Sequence, residues 1–173
     1  MRLESLAQEQ CEQVRIWRNA EMEVWRTPFM LTEEMQKEFY QRCCDRNSPH
    51  RYWAVIKDNG IFAGMGGITY IQWENRIGEI TLIIDPNYRK DGNGEKAVDL
   101  LLDQAFNHLN LQTVFGECYE VNAEGIVFWE KLKEKYNGYE TALPNRKYYK
   151  GKYWRSLYFS IDKDDFNKIH NSQ

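Results

Sequence analysis

The spacing of apolar residues changes several times along the chain, and each change marks a predicted element. Met1 to Leu6 reads as a short strand. From Ala7 to Asn19, Cys11, Val14, Ile16 and Trp17 recur at helical spacing, with polar residues between them. Pro28 interrupts the chain. Thr32 is then placed as an N-cap for a second helix, whose face is Met35, Phe39 and Tyr40 and which runs into Arg42. Asn47-Ser48-Pro49 signals a loop.

The middle of the chain switches to strand character. Tyr52 to Lys57 and Ile61 to Gln72 flank Asp58-Asn59-Gly60, a hairpin turn sequence. Ile77 to Asp85 is apolar toward its end, as in an interior strand, and Pro86 stops it. A loop from Arg89 to Gly94 leads into a helix from about Glu95 to His108, with Ala97, Val98, Leu101, Leu102, Ala105 and Phe106 on one side. Thr113 to Val121 is a strand. Asn122 to Tyr136 is a helix with Ile126, Val127, Trp129 and Leu132 inward. Tyr139 to Tyr149 and Lys152 to Ile161 form a hairpin around Lys150-Gly151, and a polar tail expected to fray begins at about Asp162. The chain shows no repeat and no linker, so residues 1–173 read as one mixed α/β domain.

Composition narrows the function classes. A net charge of −3 gives the whole molecule no pull toward nucleic acid or an anionic membrane. Cys11, Cys43, Cys44 and Cys118 lack zinc-type spacing and read as free thiols in a reducing cytoplasm. His50, His108 and His170 are scattered, so no metal site is expected. No leader sequence or membrane-length apolar run is evident, and a cytoplasmic location is expected.

The most informative segment is Leu82-Ile83-Ile84-Asp85-Pro86-Asn87-Tyr88-Arg89-Lys90-Asp91-Gly92-Asn93-Gly94-Glu95-Lys96-Ala97, a buried strand, a loop and a helix start. Helix N-termini leave backbone N–H groups without partners and carry partial positive charge. Gly92 and Gly94 let a phosphate approach the backbone, and Arg89, Lys90 and Lys96 can add charge-assisted contacts. Such a turn suits a diphosphate, although glycine spacing alone also fits an ordinary strand-to-helix turn. The ending excludes a P-loop, and the missing third glycine excludes the dinucleotide fingerprint.

Arg89-Lys90-Asp91-Gly92-Asn93-Gly94 resembles the (Gln/Arg)-x-x-Gly-x-(Gly/Ala) signature of the GNAT superfamily of N-acetyltransferases. Asn122 with Phe128-Trp129-Glu130-Lys131 resembles a further family segment. Val14-Arg15-Ile16-Trp17-Arg18-Asn19 and the closing Tyr149-Lys150-Gly151-Lys152-Tyr153 with Ser156-Leu157-Tyr158 resemble the RimJ/RimL-like branch. The resemblance implies a GNAT fold: a mixed, mostly antiparallel central sheet with flanking helices, splayed where acetyl-CoA, the cosubstrate, binds. It also implies a bulge in the strand Ile77–Asp85. The cofactor-binding residues carried over are Leu82, Ile83, Ile84, Arg89, Lys90, Asp91, Gly92, Asn93, Gly94, Glu95, Lys96, Asn122 and Trp129. Asn122 also reads as a helix N-cap.

For direct attack by an amine on a thioester, a base, an oxyanion donor and a departing thiolate are required. Glu79 is the first candidate base, Glu120 the second, and Glu117 lies on the same strand as Glu120. Trp129 stands where many relatives carry a proton-donating tyrosine, so Tyr119 is the candidate acid, unless CoA leaves as the thiolate. Asp91 stands where the loop often has Lys or Arg.

Ser48-Pro49-His50-Arg51-Tyr52-Trp53 and Gly64-Met65-Gly66-Gly67-Ile68-Thr69 look similar to strands of the UDP-4-amino-sugar acetyltransferase of pseudaminic acid biosynthesis. Arg15, Arg18, Arg26, Arg146 and Lys147 are the cations available to such an acceptor. A protein N-terminus as acceptor, and a non-catalytic CoA-binding module, are the alternatives. Monomer and homodimer are both open.

Overall fold

The computed structural model describes residues 1–170. Strand β1 (Arg2–Ser5) leads into helix α1 (Gln8–Ala20), a 3-10 turn (Met22–Val24) and helix α2 (Glu33–Cys44). Strands β2 (Arg51–Ile56), β3 (Phe62–Gln72) and β4 (Ile77–Ile84) precede helix α3 (Asn93–Asp103), strand β5 (Thr113–Tyr119) and helix α4 (Ala123–Lys135). Strands β6 (Tyr139–Tyr149) and β7 (Lys152–Asp162) and helix α5 (Lys163–His170) complete the order. The sheet runs β1-β2-β3-β4-β5-β7-β6, and every neighbouring pair is antiparallel except β4 with β5. The mixed, mostly antiparallel α/β fold implied by the resemblance is the fold observed.

Period-two alternation along β4 divides the molecule into two layers. Ile80 and Leu82 pack with Val98, Leu101 and Leu102 of α3 and with Leu132 of α4, while Ile84 meets Ala97. Ile83, on the other face, packs with Val14 and Trp17 of α1 and with Met65. Glu79 and Thr81 share the face of Ile83, so a β4 carboxylate opens on the α1–α2 side of the sheet.

Several local expectations are corrected. Ile16, Met35 and Val127 are exposed rather than inward; on α2 the buried position is Gln36, whose amide donates to the Cys11 carbonyl at 2.7 Å. A polar residue there is invisible to an apolar-period reading. From Lys163 to His170 the tail does not fray but forms α5, because Phe166 buries its ring against Phe106 and Tyr136; the last three residues of that expectation lie outside the described residues. Fully burying one phenylalanine contributes roughly 2–3 kcal/mol, enough to fold a short polar helix onto a core.

The implied bulge is also relocated. β4 keeps an unbroken register from Ile84↔Gly64 to Glu79↔Thr69, and the irregularity falls in β3 between Thr69 and Gln72. Tyr70 takes the left-handed conformation there, with φ 48°, and its amide donates to His50 Nδ1.

Candidate active site

β4 and β5 pair over three rungs, Ile77↔Thr113, Gly78↔Val114 and Glu79↔Phe115. Beyond Glu79 the ladder stops, while β5 stays paired with β7 on its other edge from Thr113↔Asp162 to Tyr119↔Ser156. The β4 edge at Leu82, Ile83 and Ile84 therefore has no strand beside it among the described residues. An extended amide-bearing chain can add to such an edge. Leu82 and Ile84 place their side chains in the α3 layer and Ile83 in the α1 layer, so only their backbones line the gap.

The glycine loop enters α3 through Gly92, which has φ 74° and offers no side-chain cap. Lys90 is also left-handed, with φ 72°, a conformation that costs a non-glycine residue roughly 1–2 kcal/mol. The buried Asn93 side chain donates to the Tyr88 carbonyl at 2.8 Å and holds the loop against the helix start. Gly94 lies under Phe128 of α4: a Cβ there would come within 3.0 Å of the ring. The first-turn amides of α3 are thus presented without a side-chain acceptor, and backbone approach is open at Gly92.

The charged residues of the loop divide. Arg89 turns inward, donating to Glu21 through two bonds of 2.7 Å and to the Ile84 carbonyl at 3.1 Å. Lys90 is exposed and pairs with Glu124 at 3.0 Å. Asp91 is exposed. Glu95 accepts from Lys131 and Lys135 of α4. Lys96 lines a different cleft, of about 280 Å³, with Met1, Lys57, Asp58, Asn59 and Asn93. Sequence reasoning grouped Arg89, Lys90 and Lys96; the structure leaves Lys90 alone of the three near the loop surface.

Asn122 caps α4, its Oδ1 accepting from Gly125 N–H at 2.9 Å. Trp129 stacks on Phe159 with centroids 4.6 Å apart and meets Phe128 edge-on. The indole is a packing element of the α4–β7 contact.

On the opposite face, at the fork, four groups meet. Arg26, from the segment after the 3-10 turn, donates to Glu79 Oε1 at 2.7 Å, to Glu117 Oε2 at 3.2 Å and to the Tyr119 hydroxyl at 3.4 Å. Glu117 also accepts from Arg146 and from the Ser156 hydroxyl, both at 2.8 Å, and its side chain is only 4% exposed. Burial works against charge on Glu117, yet Arg146 and Ser156, with Arg26 behind them, hold its carboxyl below the usual range. Burial likewise opposes the Arg26 charge, and the bonds to Glu79 and Tyr119 more than offset it. Glu79 is 13% exposed at its side chain and Tyr119 is buried.

Glu79 and Tyr119 are thus brought together. Glu120 is not: it lies past the end of β5 and pairs with Arg155 at 2.5 Å. Strand alternation separates the two groups, since Glu117 and Tyr119 share a face. Glu21, Ser156 and Phe128 are site neighbours that sequence reasoning missed. Phe128 and Ser156 stood in the motifs that carried the family resemblance, without a site role, and nothing in the sequence singled out Glu21. Among the proposed cations, Arg26, Arg146 and Lys147 reach this face, whereas Arg15 binds Glu12 and the Leu31 carbonyl.

The sequence matches the acetyltransferase (GNAT) domain family over residues 1–133. A single-site mutant of spermidine N-acetyltransferase SpeG from Vibrio cholerae has the same fold, with a TM-score of 0.83 at 18% identity, covering 100% of both chains. Spermidine N-acetyltransferase from Vibrio cholerae in complex with CoA and spermine gives 0.83 at 19% identity, over 95% of this chain and 96% of that one. With a free β4 edge and an uncapped helix start, the residues present fit the amide-bearing arm and the diphosphate of acetyl-CoA. The chain belongs to the acetyltransferase (GNAT) domain family and is an acetyl-CoA-dependent N-acetyltransferase.

Proposed function

We propose that residues 1–173 act as one acetyltransferase domain that acetylates a small primary amine bound on the α1–α2 face, with Glu79 as the base. The observation that carries this reading is the position of Glu79. It occupies the last paired rung of β4 and β5, where the gap opens, and it faces the side opposite α3. A cosubstrate arm lying in the gap and an acceptor entering from the α1–α2 face would meet beside this carboxylate.

Acetyl-CoA supplies the activated acyl carbon as a thioester. The β4 backbone near Leu82 offers an N–H to the carbonyl oxygen, and the first turn of α3 receives the diphosphate. Arg26 fixes the orientation of the Glu79 carboxylate. Glu79 takes the proton that the attacking amine must lose, directly or through water. Tyr119, whose hydroxyl accepts from the same guanidinium, serves as the acid that returns a proton to the leaving sulfur, a role for which the stacked Trp129 has no suitable proton. Asn122 and Lys90 serve the cosubstrate side. Arg89, gripped by Glu21, supports the loop from within.

For the acceptor we favour an amine on an anionic carrier, such as an amino-sugar nucleotide, in keeping with the resemblance to the pseudaminic-type enzyme of the RimJ/RimL-like branch. The supporting observation is the charge of the face: Arg26 and Arg146 pair with Glu79 and Glu117, and Lys147 lies over the neighbouring Tyr119 ring. A polyamine is the second reading, favoured by the likeness to the spermidine enzymes and by the two carboxylates. A panel of UDP-amino sugars, spermidine, spermine and short peptides, read by mass spectrometry for a gain of acetyl, separates them. Acetylation confined to polyamines or to peptides overturns the anionic-carrier reading.

A further inference from the structure

Two buried side-chain donors have no partner among the described residues: Arg18 Nε and Trp25 Nε1. They belong to one place. Arg18 Nη2 donates to the Thr27 hydroxyl at 3.0 Å, which seats the guanidinium against the segment Trp25-Arg26-Thr27. Lys147, itself 8% exposed, grips the same segment by donating to the Trp25 carbonyl. Among the described residues neither Arg18 nor Lys147 has a carboxylate within 4.0 Å. Their neighbour Arg26 has two.

A buried cation is ordinarily paired, and a buried N–H is ordinarily bonded. Burial pushes both the Arg18 and the Lys147 ionisations down, in the direction expected when a charge lacks compensation. Two cations without a carboxylate at contact distance, of which Lys147 has only the Tyr119 ring and the more distant Glu23 to offset it, and two unpartnered donors around three consecutive residues leave this place favourable to negative charge. Arg26, the middle residue of the segment, holds Glu79, so this place adjoins the proposed transfer site.

We propose that Arg18 and the Trp25 indole N–H, with Lys147 behind them, form an anion subsite that receives a phosphoryl or carboxylate group of the acceptor molecule and so orients its amine toward Glu79. This rests on the reading that the acceptor docks on the α1–α2 face. It adds a recognition element that the base and the cosubstrate loop do not contain.

The test uses the whole chain saturated with CoA, so that the α3 start is already engaged. Indole ¹⁵N–¹H resonances of the six tryptophans are followed while inorganic pyrophosphate or malonate is added. Trp25→Phe assigns its resonance by loss. The expected result is a saturable shift of that resonance with pyrophosphate, and at least about tenfold weaker binding in Arg18→Gln and in Lys147→Gln. A larger response to malonate assigns the subsite to a carboxylate instead of a phosphate. An unmoved Trp25 resonance, or unchanged pyrophosphate affinity in folded Arg18→Gln, overturns the proposal. Trp25→Phe keeps an aromatic ring in the cluster with Val14, Trp17 and Ile83 while removing the indole N–H and the rest of its five-membered ring, so weakened anion binding in folded Trp25→Phe is the second readout if Arg18→Gln does not fold. No acetyl transfer enters the measurement. A protein that acetylates amines yet ignores anions sinks this inference alone, and one that fails to bind CoA sinks the functional reading alone.

Discussion

Arg89 and Glu21 face each other across two hydrogen bonds of 2.7 Å, and this pair ties the glycine loop to the chain that leaves α1. Five residues after Glu21, Arg26 reaches Glu79 at the strand fork. One short segment therefore braces the loop proposed for the diphosphate and the carboxylate proposed as base.

Glu21→Gln is expected to weaken CoA binding through loss of loop order rather than loss of a contact. Both partners are 29% exposed, so the expected loss is about 1 kcal/mol, or roughly fivefold in Kd. Calorimetric titration with CoA checks it. An unchanged Kd would show that the loop holds its shape without the pair.

Gly94→Val is expected to drive a side chain into Phe128, whose ring already stands 3.0 Å from an added Cβ. Overpacking of this kind costs about 1–3 kcal/mol. Adding Phe128→Leu should recover part of the loss in thermal unfolding. By contrast Gly92→Ala meets no neighbour but keeps φ at 74°, so its cost, about 1 kcal/mol, should not respond to Phe128→Leu.

The elements were legible where pattern and packing agree. The apolar stripe from Ala97 to Phe106 read correctly because it faces one core layer, and the apolar end of β4 because that strand is buried on both faces. The loop motif was legible because its residues are consecutive. The Arg26, Glu79, Glu117 and Tyr119 cluster was legible only as separate candidates, since it draws on three segments and joins residues up to 93 positions apart. Nothing local says which carboxylate an arginine will find. Gln36 and α5 were misread for another reason: a single tertiary contact outweighs polar composition.

Glu117 predicts a particular acid sensitivity. Its folded-state ionisation is held below the ordinary carboxylate value, so the folded protein binds fewer protons there than the unfolded chain. That stabilisation is complete above about pH 4.3 and is lost as pH falls through the lower folded value. Urea unfolding of Glu117→Gln between pH 7 and pH 3, a range chosen to bracket roughly that value, should show lower stability at neutrality and a flatter acid limb than wild type. Parallel acid limbs would contradict this.

Thiol chemistry offers a separate check. Burial pushes Cys11, Cys43 and Cys118 up to about 12, whereas Cys44 is exposed. The thiolate is the reactive form. Ellman's reagent at pH 8 should therefore find one fast thiol in the native protein, abolished by Cys44→Ser, and four after denaturation. Rapid modification of Cys118 would mean that the β5–α4 contact opens readily.

The central claim is that Glu79 takes the amine proton beside a cosubstrate held by the open β4 edge. Steady-state acetyl transfer to the best acceptor, measured beside CoA affinity in wild type and Glu79→Gln, tests it most directly. The account predicts that kcat falls at least about 100-fold in the variant, while the Kd for CoA stays within roughly twofold. Undiminished turnover by Glu79→Gln, or a wild-type protein with no affinity for CoA, would contradict it.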